Sequence, residues 1–378
     1  MLFDNSSLTH EQFLARHWQR KPLLIRQALP GFVPELDADD IAGLACDEMA
    51  ESRLITGSYP EHDWRLRYGP FNEQDFSRLP ETNWTLLVQD VEKHYPPLQA
   101  LLGHFSFLPR WRIDDLMVSV AGPGGSVGPH VDQYDVFLLQ AEGTRLWQIS
   151  ETCDNALLPD CELNVLREFS AEQEWLLQPG DMLYLPPGVA HHGVAQDQCM
   201  TWSIGMRAPS AADLFQSLGE WLAERNDEGG RYRDPDLHAR PQPGEIDSSA
   251  IDQFRSLLNA SDFYENEFPA FLGDFLSRYR QAHEPAGPEA SLSPEALVMQ
   301  LNQGRKLRHN PWTRLLWTRS ESGAHLFAAG SGYECSLNFA RALCDPDSLD
   351  LLTSALSDEE QILVCELINQ GHLYLEQL

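Results

Sequence analysis

Gly128-Pro-His130-Val-Asp132 and Gly180-Asp-Met-Leu-Tyr-Leu-Pro186-Pro-Gly188-Val-Ala-His191 are the two stretches that decide how this 378-residue chain is read. The first is a His-x-Asp pair, and the second has the spacing G-x5-P-x-G-x2-H. Together they offer two imidazoles and one carboxylate, the facial set that holds non-haem Fe(II) and leaves coordination positions open. A lone His-x-Asp occurs by chance on many solvated strands. The pair gains weight because the second stretch supplies a third ligand inside a strand–turn–strand. Residues two apart on a strand share a face, so His130 and Asp132 are expected to point inward with Val131 outward. Of the adjacent His191 and His192 only one can face the interior. The spacing selects His191 and leaves His192 at the rim or surface.

The surrounding sequence reads as short strands punctuated by Pro and Gly. Asp135–Gln140 is a buried strand, Ala141–Thr144 a turn, and Arg145–Ile149 the strand expected to return beside it. Glu174–Leu177, the turn Gln178–Asp181, Met182–Leu185, the turn Pro186–Gly188 and Cys199–Ile204 continue the pattern. Many short strands of this kind indicate a double-sheet jelly roll, whose mouth suits a metal and a small cosubstrate. The fold class is therefore α+β, a double-stranded β-helix with helical additions. If the metal works with a 2-oxo acid such as 2-oxoglutarate, a cation is needed for the far carboxylate, and Arg is the best fork for it. Arg145 follows the His-x-Asp strand across a tight turn and fits that role; a surface strand arginine is the alternative.

Composition sets outer limits. Twenty-seven basic and fifty-seven acidic side chains give a net charge of −30, which opposes general nucleic-acid affinity and suits a basic partner. Seven cysteines without paired spacing point to a reducing compartment. The start, Met1-Leu-Phe-Asp-Asn-Ser6, lacks the regions of a signal peptide, and no run approaches the ~18 apolar residues of a membrane span. A cytoplasmic location without membrane attachment is expected.

Residues 1 to about 110 look mixed, with a helix around Phe13 and Leu14 capped by Ser7 or Thr9 and ended by Lys21-Pro22, then a strand Leu23–Ile25. The barrel is expected from about Ile113 to Arg207. Ala211–Arg225, Ile251–Leu258 and Phe268–Arg280 read as helices, Asn226–Ser249 as a loop, and Glu284–Glu289 as the best linker. After it, a helix from Pro294, strands Leu315–Trp317 and His325–Phe327, helices Asn338–Cys344 and Asp358–Asn369, and a strand His372–Leu375 resemble a winged helix. Residues 294–378 carry six Lys or Arg against eleven Asp or Glu, so direct DNA binding is not expected of it.

The strings Trp111–Ser119, Pro123–Phe137, Tyr184–His191 and Phe13–Pro22 resemble those of the bacterial JmjC-type ribosomal oxygenases, and the likeness covers most of the chain. The resemblance implies a JmjC (cupin) catalytic domain with an N-terminal α/β extension over 1–207, a helical dimerisation region over 208–283 and a winged-helix-like domain over 290–378. It implies Fe(II) on His130, Asp132 and His191, and 2-oxoglutarate held by Arg145 with Ser119. Asp115 and Tyr134 would receive the substrate. The implied activity is hydroxylation of an arginine β-carbon in a basic protein, large-subunit ribosomal protein sixteen, by a homodimer, with 2-oxoglutarate decarboxylated to succinate. His192 departs from the acidic residue expected there in near relatives. The rivals are an oxygenase acting on a histidine or methyl-lysine of another protein, and a small-molecule metal cupin. A non-enzymatic acidic adaptor is opposed by the intact ligand set.

Overall fold

The computed structural model describes residues 8–225, 231–232, 246, 248–258, 267–345, 348–352 and 356–376. It separates into two units, residues 1–208 and 209–378.

The first unit is a double-stranded β-helix with twelve strands among the described residues. They are β1 Leu23–Ile25, β2 Ser52–Thr56, β3 Arg65–Tyr68, β4 Trp84–Val88, β5 Ile113–Ala121 and β6 His130–Val131. The rest are β7 Val136–Glu142, β8 Arg145–Ser150, β9 Gln173–Leu177, β10 Met182–Leu185, β11 Ala190–Ala195 and β12 Cys199–Met206. The large sheet runs β1-β10-β7-β12-β5-β4-β2-β3 and the small one β6-β11-β8-β9. The expected hairpin of β7 with β8 does not form. β7 pairs with β10 and β12, whereas β8 pairs with β9 and β11. The turn at Gly143 carries the chain from one sheet to the other, as jelly-roll corners do, and so aims Arg145 between the sheets. The sequence reading also left β2, β3 and β4 undetected.

Alternation divides the large sheet into two apolar faces. Leu116, Val118, Phe137, Tyr184, Trp202 and Ile204 lie in one core with Phe13, Ile41, Val91 and Phe105 from the preceding helices. Val136, Leu138, Leu183 and Leu185 pack with Trp147, Ile149 and Leu177 of the small sheet. The helix His10–Arg16 is set by a capping box in which Thr9 accepts from the Gln12 N–H and the Gln12 side chain returns to the Thr9 N–H. Its fully buried Phe13 meets the Tyr184 ring edge-on at 4.9 Å. The Tyr184 hydroxyl donates to Asp135 at 2.5 Å, and Arg112 and Gln19 donate to the other carboxylate oxygen at 2.7 and 3.0 Å. This network fastens the N-terminal helix to the barrel. Ser7, the alternative cap, lies outside the described residues.

In the second unit, Ser210 caps the helix Ala211–Glu224, whose Trp221 packs on Phe271 and Phe275 of the helix Phe268–Arg278 and donates to Asp274 at 2.8 Å. Trp221 therefore belongs to this unit's own core, whereas Phe215, Phe254 and Leu258 stay exposed. The stretch 226–249 read as a loop lies largely outside the described residues, and its last two, Ser248 and Ser249, open the helix Ser248–Leu258. The winged-helix region carries β13 Leu307–His309, β14 Leu315–Arg319, β15 Ala324–Ala328, β16 Ser331–Cys335 and β17 Leu373–Leu375. The hairpin β14-β15 extends to a third strand, and β13 pairs with β17. Glu284–Glu289 has no regular element, yet it is packed: a Cβ on Gly287 would lie 1.9 Å from the Asn369 carbonyl. Among the described residues no helix is long and apolar enough to cross a membrane.

Candidate metal and cosubstrate site

His130 lies on β6 and His191 directly opposite it on β11, so strand register alone brings the two imidazoles together. Their ring centroids are 4.2 Å apart. Asp132 completes the group: its Oδ2 is 3.8 Å from His130 Nε2 and 3.6 Å from His191 Nε2. One potential ligand atom from each residue falls within 4.8 Å of the others. The route differs from the expected one, because β6 ends at Val131 and Asp132 lies just beyond it. Alternation therefore does not place Asp132, nor Tyr134, which sits in a bend further on. Asp132 is held by its backbone instead, its carbonyl accepting the Gly188 N–H at 2.8 Å.

Both imidazoles are fixed in the same tautomer. His130 Nδ1 is 3.0 Å from the Gly128 carbonyl and His191 Nδ1 is 3.0 Å from the Val189 carbonyl. Each Nδ1–H donates to that carbonyl, which leaves both Nε2 lone pairs aimed toward Asp132, the arrangement a metal requires. Burial, reinforced by His130, lowers the His191 pKa to about 4, so this imidazole is neutral at physiological pH. Gly193, two residues along the same face, makes room for Trp147, whose ring would lie 2.7 Å from a Cβ there.

Arg145 enters from β8 and is 4% exposed. Its Nη1 reaches the hydroxyls of Ser119 on β5 at 3.4 Å and Thr201 on β12 at 3.5 Å. Nε and Nη2 are buried with no hydrogen-bond partner among the described residues. Burial lowers its pKa, and the neighbour that opposes this is the thiol of Cys199. The surface-arginine alternative is thus excluded. A buried guanidinium with two open donors is costly unless an anion meets it.

Asp115 and Ser119 share one face of β5, with Met117 between them. Ser119 pairs with Thr201 and Met117 with Ser203, so this is the face that Arg145 touches from the small sheet. Asp115 Oδ2 receives Gln89 Nε2 at 3.4 Å and the Asp90 N–H at 3.5 Å. Burial first, then Asp114 and Asp90, raises its pKa to about 6.

Comparison with known proteins agrees with this geometry. Residues 100–214 match the JmjC domain family, and residues 256–374 match the ROXA-like winged helix. The chain is 33% identical over 383 residues to the ribosomal protein uL16 3-hydroxylase of Escherichia coli K12, covering 98% of each chain. The chain belongs to the JmjC ribosomal oxygenases. A probable ribosomal oxygenase of Haemophilus influenzae is 39% identical over 234 residues, 61% of this chain and 55% of that one. The structure of the Escherichia coli ribosomal oxygenase YcfD with cobalt and 2-oxoglutarate superposes with a TM-score of 0.84 at 32% identity, covering 98% of this chain and 99% of that one.

This oxygenase is of the 2-oxoglutarate-dependent class, whose metal is Fe(II). The residues fit both groups: two imidazole Nε2 atoms and a carboxylate for the metal, and open donors on Arg145 for a distal carboxylate. One sequence expectation is corrected. His192 is not at the rim; it is 5% exposed on the opposite face of β11, enclosed by Tyr59 and Phe169 at ring distances of 5.6 and 5.9 Å. Sequence reasoning missed Thr201, Gln140 (which accepts from Thr201 at 3.2 Å) and Gln89. Alternation along Cys199–Ile204 marks Thr201 as inward, but its neighbours come from strands far along the chain.

Proposed function

We propose that this oxygenase hydroxylates the β-carbon of an arginine in ribosomal protein uL16, with Fe(II) on His130, Asp132 and His191 and 2-oxoglutarate on Arg145 and Ser119. The observation that carries the arginine assignment is Asp115, a half-buried carboxylate on the inward face that also holds Ser119. A guanidinium needs such an acceptor and tolerates an aromatic face, which Tyr134 would offer. The full-length likeness to a uL16 3-hydroxylase supports the same substrate. The buried arginine and that likeness weigh against a small-molecule cupin.

Fe(II) and 2-oxoglutarate, when bound, would supply activation of O2, the oxidant, one atom of which would end in succinate as CO2 leaves and the other in the new C–OH of the target. The protein contributes geometry. The two carbonyls behind the histidines hold the tautomer, Arg145 sets the depth of the dicarboxylate, and the apolar wall of Trp147, Ile149 and Leu183 excludes water. Asp115 positions the target carbon and takes no proton from it.

The helices 211–224, 248–258 and 268–278 would form the dimer contact, supported by exposed Phe215, Phe254 and Leu258; light scattering at micromolar concentration distinguishes a dimer from a 43 kDa monomer. The three-part division at 1–207, 208–283 and 290–378 belongs to this proposal, as do a cytoplasmic location and the absence of direct DNA binding. The deciding experiment offers matched peptides with Arg, Lys or His at the target position and locates a +16 Da shift by mass spectrometry. Hydroxylation of the arginine peptide supports the assignment. Preference for histidine overturns it and leaves the oxygenase class intact.

A further inference from the structure

The two oxygens of Asp115 have different surroundings. Oδ2 is engaged by Gln89 Nε2 at 3.4 Å and the Asp90 N–H at 3.5 Å. The Gln89 amide is itself oriented, because its Oε1 accepts from Arg53 Nη2 at 3.5 Å, so Nε2 is the end that faces the carboxylate. Oδ1 accepts no hydrogen bond among the described residues. Across from it on β12 stands Gly205, where a Cβ would lie 3.2 Å from Oδ1 and 4.0 Å from the Asp114 Cβ, with no other atom as near. Gly205 does not lie in the left-handed region, so its backbone does not require glycine. Space is what its missing side chain provides, and that space borders Oδ1.

We infer that Gly205 is a specificity-determining residue: by leaving Asp115 Oδ1 uncovered while Gln89 and the Asp90 amide hold Oδ2, it admits the broad planar fork of a guanidinium. This rests on the assignment of Asp115 to the substrate arginine. A lysine ammonium is a compact point charge that can approach one oxygen from several directions, whereas a guanidinium must approach in its own plane. A methyl group beside Oδ1 therefore penalises arginine more than lysine.

The test uses the iron enzyme with 2-oxoglutarate or an unreactive analogue of it, and peptides that differ only in Arg or Lys at the target position. Dissociation constants are measured for wild type, Gly205→Ala, Asp115→Asn and the double variant, with thermal midpoints as a check on folding. Gly205→Ala is expected to weaken the arginine peptide about tenfold, the order of one charge-assisted hydrogen bond, and the lysine peptide much less. In the Asp115→Asn background the same change is expected to cost less than about twofold, because the oxygen it shields no longer selects. Equal weakening of both peptides, unchanged arginine affinity, or a full additive loss in the double variant would each overturn the role of Gly205 while Asp115 keeps its own. Undiminished arginine binding by Asp115→Asn alone would remove the underlying assignment, and this inference with it.

Discussion

The Gly188 N–H donates to the Asp132 carbonyl at 2.8 Å, so the turn that delivers His191 also holds the carboxylate residue of the triad. Gly188 has φ +85° and open space around it, so a side chain there meets no atom but strains the backbone. Gly188→Ala is expected to cost about 1 kcal/mol of stability and to weaken Fe(II) binding severalfold. Metal titration alongside thermal unfolding checks this. Unchanged metal affinity would mean that Asp132 is placed by other contacts.

Replacement of His130, Asp132 or His191 by Ala is expected to abolish both iron retention and 2-oxoglutarate turnover. His192→Ala opens a cavity between Tyr59 and Phe169 and is expected to lose about 2 kcal/mol of stability while keeping iron. Iron content by elemental analysis decides. Retention in His191→Ala with loss in His192→Ala would reverse the register.

Arg145 predicts opposite effects on stability and binding. Arg145→Met removes a buried guanidinium with two unpaired nitrogens, so the protein without cosubstrate is expected to gain stability by roughly 1–3 kcal/mol. The same variant is expected to raise the 2-oxoglutarate requirement tenfold or more. Thermal midpoints with and without 2-oxoglutarate separate the two effects: the wild type shifts upward with the dicarboxylate, and the variant stays where it began.

Asp115 gives substrate capture a pH profile. With its pKa near 6, the carboxylate forms as pH rises from 5 to 7, and the KM for an arginine peptide is expected to fall across that interval. Asp115→Asn is expected to flatten this part of the profile. Peptide KM values at half-unit pH steps, with iron loading held constant, provide the measurement.

Glu92 makes a separate contribution to folding. It is 2% exposed, accepts the Leu116 N–H at 2.9 Å, and burial raises its pKa from 4.5 to about 8. Between those values the folded chain binds more protons here than the unfolded chain, so stability falls as pH rises through the window. Glu92→Gln keeps an acceptor for Leu116 and is expected to exceed wild type by roughly 1–3 kcal/mol at pH 8. The gap should close below pH 4.5, and denaturant titrations at both ends measure it.

The ligand set was legible because His191 closely follows a turn with punctuation of its own, Pro186-Pro-Gly188, and because Arg145 immediately follows a glycine turn. A capping residue was legible for the same local reason: Thr9, one of the two candidates, caps the first helix. What escaped was set by distant pairing. His192 looked peripheral because nothing near it in sequence reveals that Tyr59 and Phe169 close over it. Alternation predicts Asp132 inward, yet the strand before it is only two residues long. β2, β3 and β4 lack an unbroken period, and their place in the sheet is set by pairing: β4 lies on β5, β2 on β4 and β3 on β2.

The strand order of the large sheet separates the signature of this family from the piece that can fold. The JmjC match begins at residue 100, but β1 to β4, half the strands of that sheet, all precede it. A chain begun at residue 100 would keep every ligand of the metal and still present β5 as a raw edge. Leu116, Val118, Val120, Phe137 and Trp202 would be stripped of the helices that cover them, leaving a sticky template for other chains. The first hundred residues are therefore the solubility of the catalytic barrel, although none of its metal ligands lies among them.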